Sequence, residues 1–151
     1  MFLQREDLKN NIYNYQVDQI TEGDEGIVMQ AMQAAEDEAR GYMEANIYLK
    51  ENQDGRLIYD TEIIFAATGT DRHALIVQHC ITIAKWYIVD LCNVDIIYEQ
   101  AKERYDRATA WLIKLSKGDI VLKNLPTKPI GEEDTELKPF SFGSRPKFNY
   151  E

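Results

Sequence analysis

The chain has 151 residues, 44% of them hydrophobic, and a formal net charge of −9. That length supports one domain with a core of its own, and the acidic balance excludes a surface that coats DNA. The opening Met1-Phe2-Leu3-Gln4-Arg5-Glu6-Asp7 lacks a signal-peptide pattern, and no uninterrupted apolar run reaches the ~18 residues of a membrane span.

In chain order, residues 5–12 read as a short first helix with Leu8 and Ile12 inward, and 15–21 as a second turn placing Val17 and Ile20 likewise. Thr21-Glu22-Gly23-Asp24 is a break followed by a start, because the Asp24 carboxylate can cap a helix. From there Ile27, Ala31, Ala34, Ala35, Ala39, Tyr42 and Met43 recur at helical spacing to about residue 48. Their small size predicts close approach to another helix. The opposite face, Glu36, Asp37, Arg40 and Glu44, is expected in solvent. Residues 50–60 form a polar connection around Asp54-Gly55, a turn signal. It reads as a long ordered loop, with a small hairpin between 47–49 and 57–59 as the alternative. Residues 61–67 predict one more helical turn before Gly69.

Thr70 or Asp71 is expected to cap a central helix over 71–93. It is apolar on most faces, with Gln78, Thr82 and Lys85 as its one polar stripe, so several neighbours must cover it. A chain of this size has few elements to do so, and this favours oligomerisation. Cys80 and Cys92 fall on that helix about 18 Å apart, too far to bridge. Buried thiols in a reducing compartment, and hence an intracellular protein, are the expectation. The last helix, 96–117, turns Ile97, Ala101, Tyr105, Ala108, Leu112 and Leu115 inward with Trp111 beside them. Lys102–Asp106 and Glu103–Arg107 are i, i+4 ion pairs, Lys114 and Lys117 suit the helix C-terminus, and Gly118 is the stop. The fold class is therefore all-α, a small helical bundle over 1–118.

Residues 119–151 read as a long extended C-terminal arm. All four prolines of the chain lie in it, at 126, 129, 139 and 146, and they deny it a helix. Phe140, Phe142, Phe148 and Tyr150 are costly to leave in water, and Arg145 and Pro146 lie between them. A disordered tail is the alternative, but such tails are poor in aromatics. An arm that binds a partner through Phe140, Phe142, Arg145, Pro146, Phe148 and Tyr150 is the expectation.

Candidate chemistry is sparse. His73 and His79 are six apart and share no i, i+4 face, so no metal site is expected. The cysteines lack Cys-x-x-Cys spacing and read as inert. Phe140-Ser141-Phe142-Gly143-Ser144 has no strand–turn–helix around it and is not a nucleophile elbow. Glu36-Asp37-Glu38 reads as a solvated run rather than an acid/base pair. Arg104 and Arg107 read as surface ion-pair partners, and the scattered basic residues of the arm are weak for nucleic acid. No catalytic residue, cofactor or metal is expected, and the chain reads as no enzyme.

The order of several segments resembles the small helical head–tail connector proteins of tailed bacteriophages, the group of Mu-like and Bacteroides-type phages above all. They are Met1-Phe2-Leu3…Asp7-Leu8…Ile12-Tyr13, Ile20-Thr21-Glu22-Gly23-Asp24 and Ala35…Glu38-Ala39-Arg40-Gly41-Tyr42. Further along come Ile64-Phe65-Ala66-Ala67-Thr68-Gly69-Thr70-Asp71-Arg72 and Ile83–Asn93 with Trp86-Tyr87 at its centre. Tyr105-Asp106-Arg107-Ala108-Thr109-Ala110-Trp111-Leu112 completes the body, and Phe142-Gly143-Ser144-Arg145-Pro146-Lys147 resembles the ends of related phage proteins. The resemblance implies a structural virion protein at the head–tail junction, made in the bacterial host cytoplasm. It implies a homo-oligomeric ring of about twelve copies under the portal protein. The ring extends the DNA channel, lets packaged DNA pass without sequence-specific binding, and docks the tail or the next connector protein. No membrane is implied. A tail-completion or tail-terminator protein of the same particle, or a helical regulatory protein, is the alternative.

Overall fold

The computed structural model describes residues 1–10, 19, 21–44, 58–92 and 98–128. Four α-helices are described: α1 (Glu25–Glu44), α2 (Thr61–Ala66), α3 (Ala74–Cys92) and α4 (Tyr98–Lys117). Two 3-10 helices, Arg5–Asn10 and Gly69–Asp71, precede α1 and α3. The fold is all-α, as expected from the periodicity. The long helices α1, α3 and α4 pack pairwise on one another, α1 against α3 most extensively.

Local chemistry sets each boundary. Glu22 and Gly23 both take positive φ, 55° and 79°, which breaks the chain ahead of α1. The Asp24 carboxylate then accepts the Gly26 N–H at 2.9 Å, the capping bond expected of it. Ala31, Ala35 and Ala39 are fully buried, and this stripe of methyl groups lets the α3 backbone come close. Facing it, α3 buries Ile76, Cys80, Ile81, Ile83, Ala84, Ile88 and Val89. By length and composition α3 could cross a membrane, yet here it is the core helix, covered by α1 and α4.

The start of α3 differs from expectation. Thr70 and Asp71 belong to the 3-10 turn, and Arg72 leaves it extended (φ −73°, ψ 143°). The Val77 N–H donates to the His73 carbonyl at 3.0 Å, so His73 stands at the helix entry. From that extended position the Arg72 guanidinium reaches across to the N-terminal segment, while its Nε donates to the Gly69 carbonyl at 3.0 Å.

That segment is more deeply built in than its sequence indicates. Phe2, Leu3 and Leu8 are each 1% exposed, and the Phe2 and Phe65 rings lie 5.0 Å apart. The first helix is a 3-10 helix ending at Asn10. The turn expected at 15–21 falls almost wholly outside the described residues, as do Ile12, Ile97 and the loop over 45–57.

At the other end, Gly118 takes φ 88°. Its N–H donates to the Leu115 carbonyl at 3.2 Å and the Asp119 N–H to the Lys114 carbonyl at 3.0 Å. This paired reversal closes α4. The chain does not leave the body there. Tyr59 and Thr127 form an antiparallel bridge, flanked by Asp60 N–H to the Pro126 carbonyl at 2.9 Å and Lys128 N–H to the Ile58 carbonyl at 2.7 Å. Leu125 is 5% exposed, and the Tyr59 hydroxyl accepts the Leu122 N–H at 3.1 Å. Residues 119–128, expected as the base of the arm, are thus laid on the body. The hairpin considered between 47–49 and 57–59 lies almost wholly outside the described residues, and within them 58–60 pair with 126–128.

Candidate functional site

Two stretches distant in sequence, 60–75 and 124–126, meet in a groove beside α2. The Asp60 carboxylate caps α2 through the Ile63 N–H at 3.2 Å, and Ala67 ends it in extended backbone. The 3-10 turn at Gly69–Asp71 then directs the chain into α3. The bridge at Thr127 brings 124–126 alongside, and His73 Nε2 meets Asn124 Oδ1 at 3.1 Å. The result is a cavity of about 580 Å³ whose lining mixes apolar side chains, among them Ile63, Leu75, Leu125 and Pro126, with Asp71, Arg72, His73 and Asn124. Ile63 and Leu75 are 56% and 37% exposed, so the groove presents apolar surface to solvent.

Arg72 locks this corner. Its Nη1 donates to Asp7 Oδ2 at 2.6 Å and to the Phe2 carbonyl at 2.8 Å, and its Nη2 donates to Asp7 Oδ1 at 3.1 Å. Asp7 also accepts the Gln4 N–H at 2.7 Å. Burial works against a charged Asp7, but these donors outweigh it and hold its carboxyl below the usual carboxylate value.

A second constellation lies where α1, α3 and α4 meet. Glu38 accepts three phenolic hydroxyls: Tyr42 at 3.0 Å, Tyr87 at 2.6 Å and Tyr105 at 2.8 Å. Burial, and then the carboxylate itself, push all three phenols up, Tyr87 to about 12. The phenols therefore stay protonated and serve as donors. Trp86 packs on Tyr105 with ring centres 5.5 Å apart. The arrangement ties one carboxylate to three helices.

Glu38 corrects the expectation of a solvated acidic run, and so does Glu36. Glu36 is buried and accepts the Leu3 N–H at 2.7 Å, which pins the N-terminal segment to α1. Asp37 alone of the three is exposed, accepting from Gln33 at 3.2 Å. Arg40 lies over the Phe65 ring at 5.5 Å, and Glu44 accepts the Thr61 hydroxyl at 2.8 Å. Of these contacts, the Glu38–Tyr42 pair at i, i+4 was visible as a spacing. The convergence of Tyr87 and Tyr105 on it depends on helix packing.

The remaining groups with reactive potential are quiet. Burial, with Glu36 nearby, pushes the Cys80 thiol far up, and burial with Glu22 and Asp24 raises that of Cys92. Both cysteines are free. His79 stacks on Trp111 at 4.4 Å, and its burial pushes the imidazole down, toward the neutral form. The two i, i+4 ion pairs form as expected, Lys102–Asp106 at 3.1 Å and Glu103–Arg107 at 3.6 Å. Among the described residues no group of three or more His, Cys, Asp and Glu is placed to hold a metal ion. Phe140, Phe142, Arg145, Pro146, Phe148 and Tyr150 lie outside the described residues.

No family model, curated protein or solved structure matches the chain.

Proposed function

We propose that this chain is a structural virion protein, a head–tail connector that assembles as a ring under the portal of a tailed phage. One observation carries the reading. Five of the segments on which the connector resemblance rests hold one another in the fold. Asp7 of the first is bound by Arg72 of the fourth, and Glu38 of the third is bound by Tyr87 and Tyr105 of the fifth and sixth. Their order is thus tied to one set of long-range contacts rather than to separate local patterns.

Two further features fit the role. Leu75 and Leu91, near the two ends of α3, are 37% and 42% exposed, and a ring contact would cover them. Residues 1–117 carry 20 acidic against 12 basic side chains. Such a surface repels DNA at distances up to the Debye length of ~8–10 Å, so DNA passes without sticking. The terminal aromatics, on a segment whose reach from Lys128 is ~75 Å if fully extended, supply the anchor to the portal.

Native mass spectrometry of the full chain mixed with the portal ring from the same genome tests this. Addition of many copies per ring, lost when the chain is truncated after Lys128, is expected. Binding to the tail tube with none to the portal would overturn the connector reading in favour of a tail-completion protein.

A further inference from the structure

We propose that the outer face of α3 and α4 is a docking surface for a second copy of this chain, which meets it with the acidic end of the same helix pair, so that copies join head to tail. The inference rests on the ring reading above and names the two surfaces that make the contact between subunits.

The first surface is free of acid. From Arg72 to Val89 the chain carries no Asp or Glu, and the outward stripe of α3 is Gln78, Thr82 and Lys85. On α4, Arg104, Arg107, Trp111 and Lys114 recur at i, i+3, i+7 and i+10 and so share one side. His79 stacks on Trp111 with ring centres 4.4 Å apart, which sets the two stripes side by side. Burial, and then the nearby Arg104, lower the Lys85 ammonium, so cations gather here on a chain of net charge −9. Among the described residues the Arg104 and Lys114 side chains enter no ion pair. Arginine and tryptophan are also the side chains that contribute most at protein interfaces.

The second surface lies at the other end of the pair. The Trp86 and Tyr98 rings are 5.1 Å apart, so α4 starts beside the last turns of α3, and Asp90 and Glu99 are exposed there. Burial, and then Glu22 and Asp24, raise the Cys92 thiol, which places those two acids at the same end. Asp90 stands in the last turn of α3, where the helix dipole disfavours a carboxylate, so helix stability does not account for it. Leu75 borders the basic surface and Leu91 follows Asp90, and both are exposed. Each surface thus has an apolar side chain for the contact to cover.

Charge decides the occupant. The two surfaces are different patches of one molecule, so pairing them gives a heterologous contact, the kind that closes rings. A two-fold contact of either surface with itself would set like charges against each other. Nucleic acid would find the same cations, but on a molecule whose overall charge repels it.

Sedimentation velocity of the full-length protein, with no portal present, tests the inference separately from the connector reading. Copies that associate through these surfaces yet bind no portal would sink that reading alone, and a portal that binds copies lacking this contact would sink the inference alone. The wild type is expected to associate as concentration rises, and to dissociate as salt shortens the Debye length from ~10 Å at 0.1 M to ~3 Å at 1 M. Arg104→Glu and Asp90→Lys each change an exposed side chain, and each alone should weaken association about tenfold. An equimolar mixture of the two variants should restore it, because the intact basic surface of one meets the intact acidic end of the other. A wild type that stays monomeric at every concentration, single variants that associate like the wild type, or a mixture that stays apart would each overturn the proposal. So would binding of a DNA duplex that Arg104→Glu abolishes, which would assign the basic face to phosphate.

Discussion

Glu38 and its three tyrosines concentrate much of the polar stability of this fold at one carboxylate. Hydrogen bonds to a charged acceptor contribute about 1.5–3 kcal/mol each when desolvated, and this cluster is half-buried, so its yield is lower. Glu38→Ala is expected to cost about 2 kcal/mol and Tyr87→Phe about 1 kcal/mol in urea unfolding. The Tyr87 substitution should cost almost nothing further in the Glu38→Ala background, and equal costs in both backgrounds would show that the bond contributes little. The pH dependence has a definite sign. The Tyr87 phenol is raised from 10.0 to about 12, so its contribution is complete below pH 10.0 and is lost as pH rises to about 12. Tyr42 and Tyr105 shift the same way. Alkaline unfolding should therefore be steep in the wild type and shallower in Tyr87→Phe. Asp7 works in the opposite direction. Its carboxyl is held below the ordinary 3.8, so the Arg72 pair contributes above that value and is lost as pH falls through the lowered one. Both side chains of the pair are about one-eighth exposed, 13% and 12%. Asp7→Asn should cost about 2 kcal/mol at neutral pH and flatten the acid limb of the stability curve. Apart from Glu38–Tyr42 at i, i+4, these pairings are not readable from sequence, because Asp7 and Arg72 are 65 positions apart and Glu38 and Tyr105 are 67 apart.

At the scale of elements, local signals decide more. The alanine stripe of α1, the apolar faces of α3 and α4, and the short α2 follow from spacing alone, because a helix face repeats every three to four residues. The Asp24 and Gly118 boundaries follow from backbone chemistry, one through a carboxylate cap and one through positive φ. Gly118 offers a clean test. An L-residue in its left-handed conformation costs about 1–2 kcal/mol, so Gly118→Ala should lower stability by that amount. Gly118→Asn should lower it less, since asparagine tolerates the region. Equal thermal midpoints for wild type and Gly118→Ala would show that the turn relaxes. The start of α3 was not legible, since Thr70 and Asp71 are both good capping residues. The helix instead begins beyond Arg72, whose guanidinium bonds Phe2, Asp7 and the Gly69 carbonyl. The same holds for the acidic run of α1. Three consecutive carboxylates on a helix ordinarily face water, and two of these are drawn inward because donors from elsewhere meet them.

For the whole molecule, the chain beyond Gly118 is still tied to the body as far as Lys128. Composition changes at Gly118, where helix formers give way to prolines, and sequence alone places the end of the body there. The structure ties 119–128 back through the Tyr59–Thr127 bridge, the buried Leu125 and the bond from Leu122 to the Tyr59 hydroxyl. Removing those ten residues would uncover Tyr59, now 4% exposed, and strip its hydroxyl of a partner. Losing a buried leucine alone costs about 2–5 kcal/mol, a large share of the ~5–15 kcal/mol that holds a typical domain. A chain ending at Lys128 should therefore keep one cooperative unfolding transition and native circular dichroism. A chain ending at Gly118 should unfold at clearly lower urea concentration. The distinction matters for assembly, because a chain cut at Gly118 that failed to join a ring would report on a weakened body, whereas one cut at Lys128 reports on the arm. If both truncations unfolded at the same urea concentration as the full chain, the 119–128 segment would be an ornament of the body, and the groove wall built from Leu125 and Pro126 would have no energetic support.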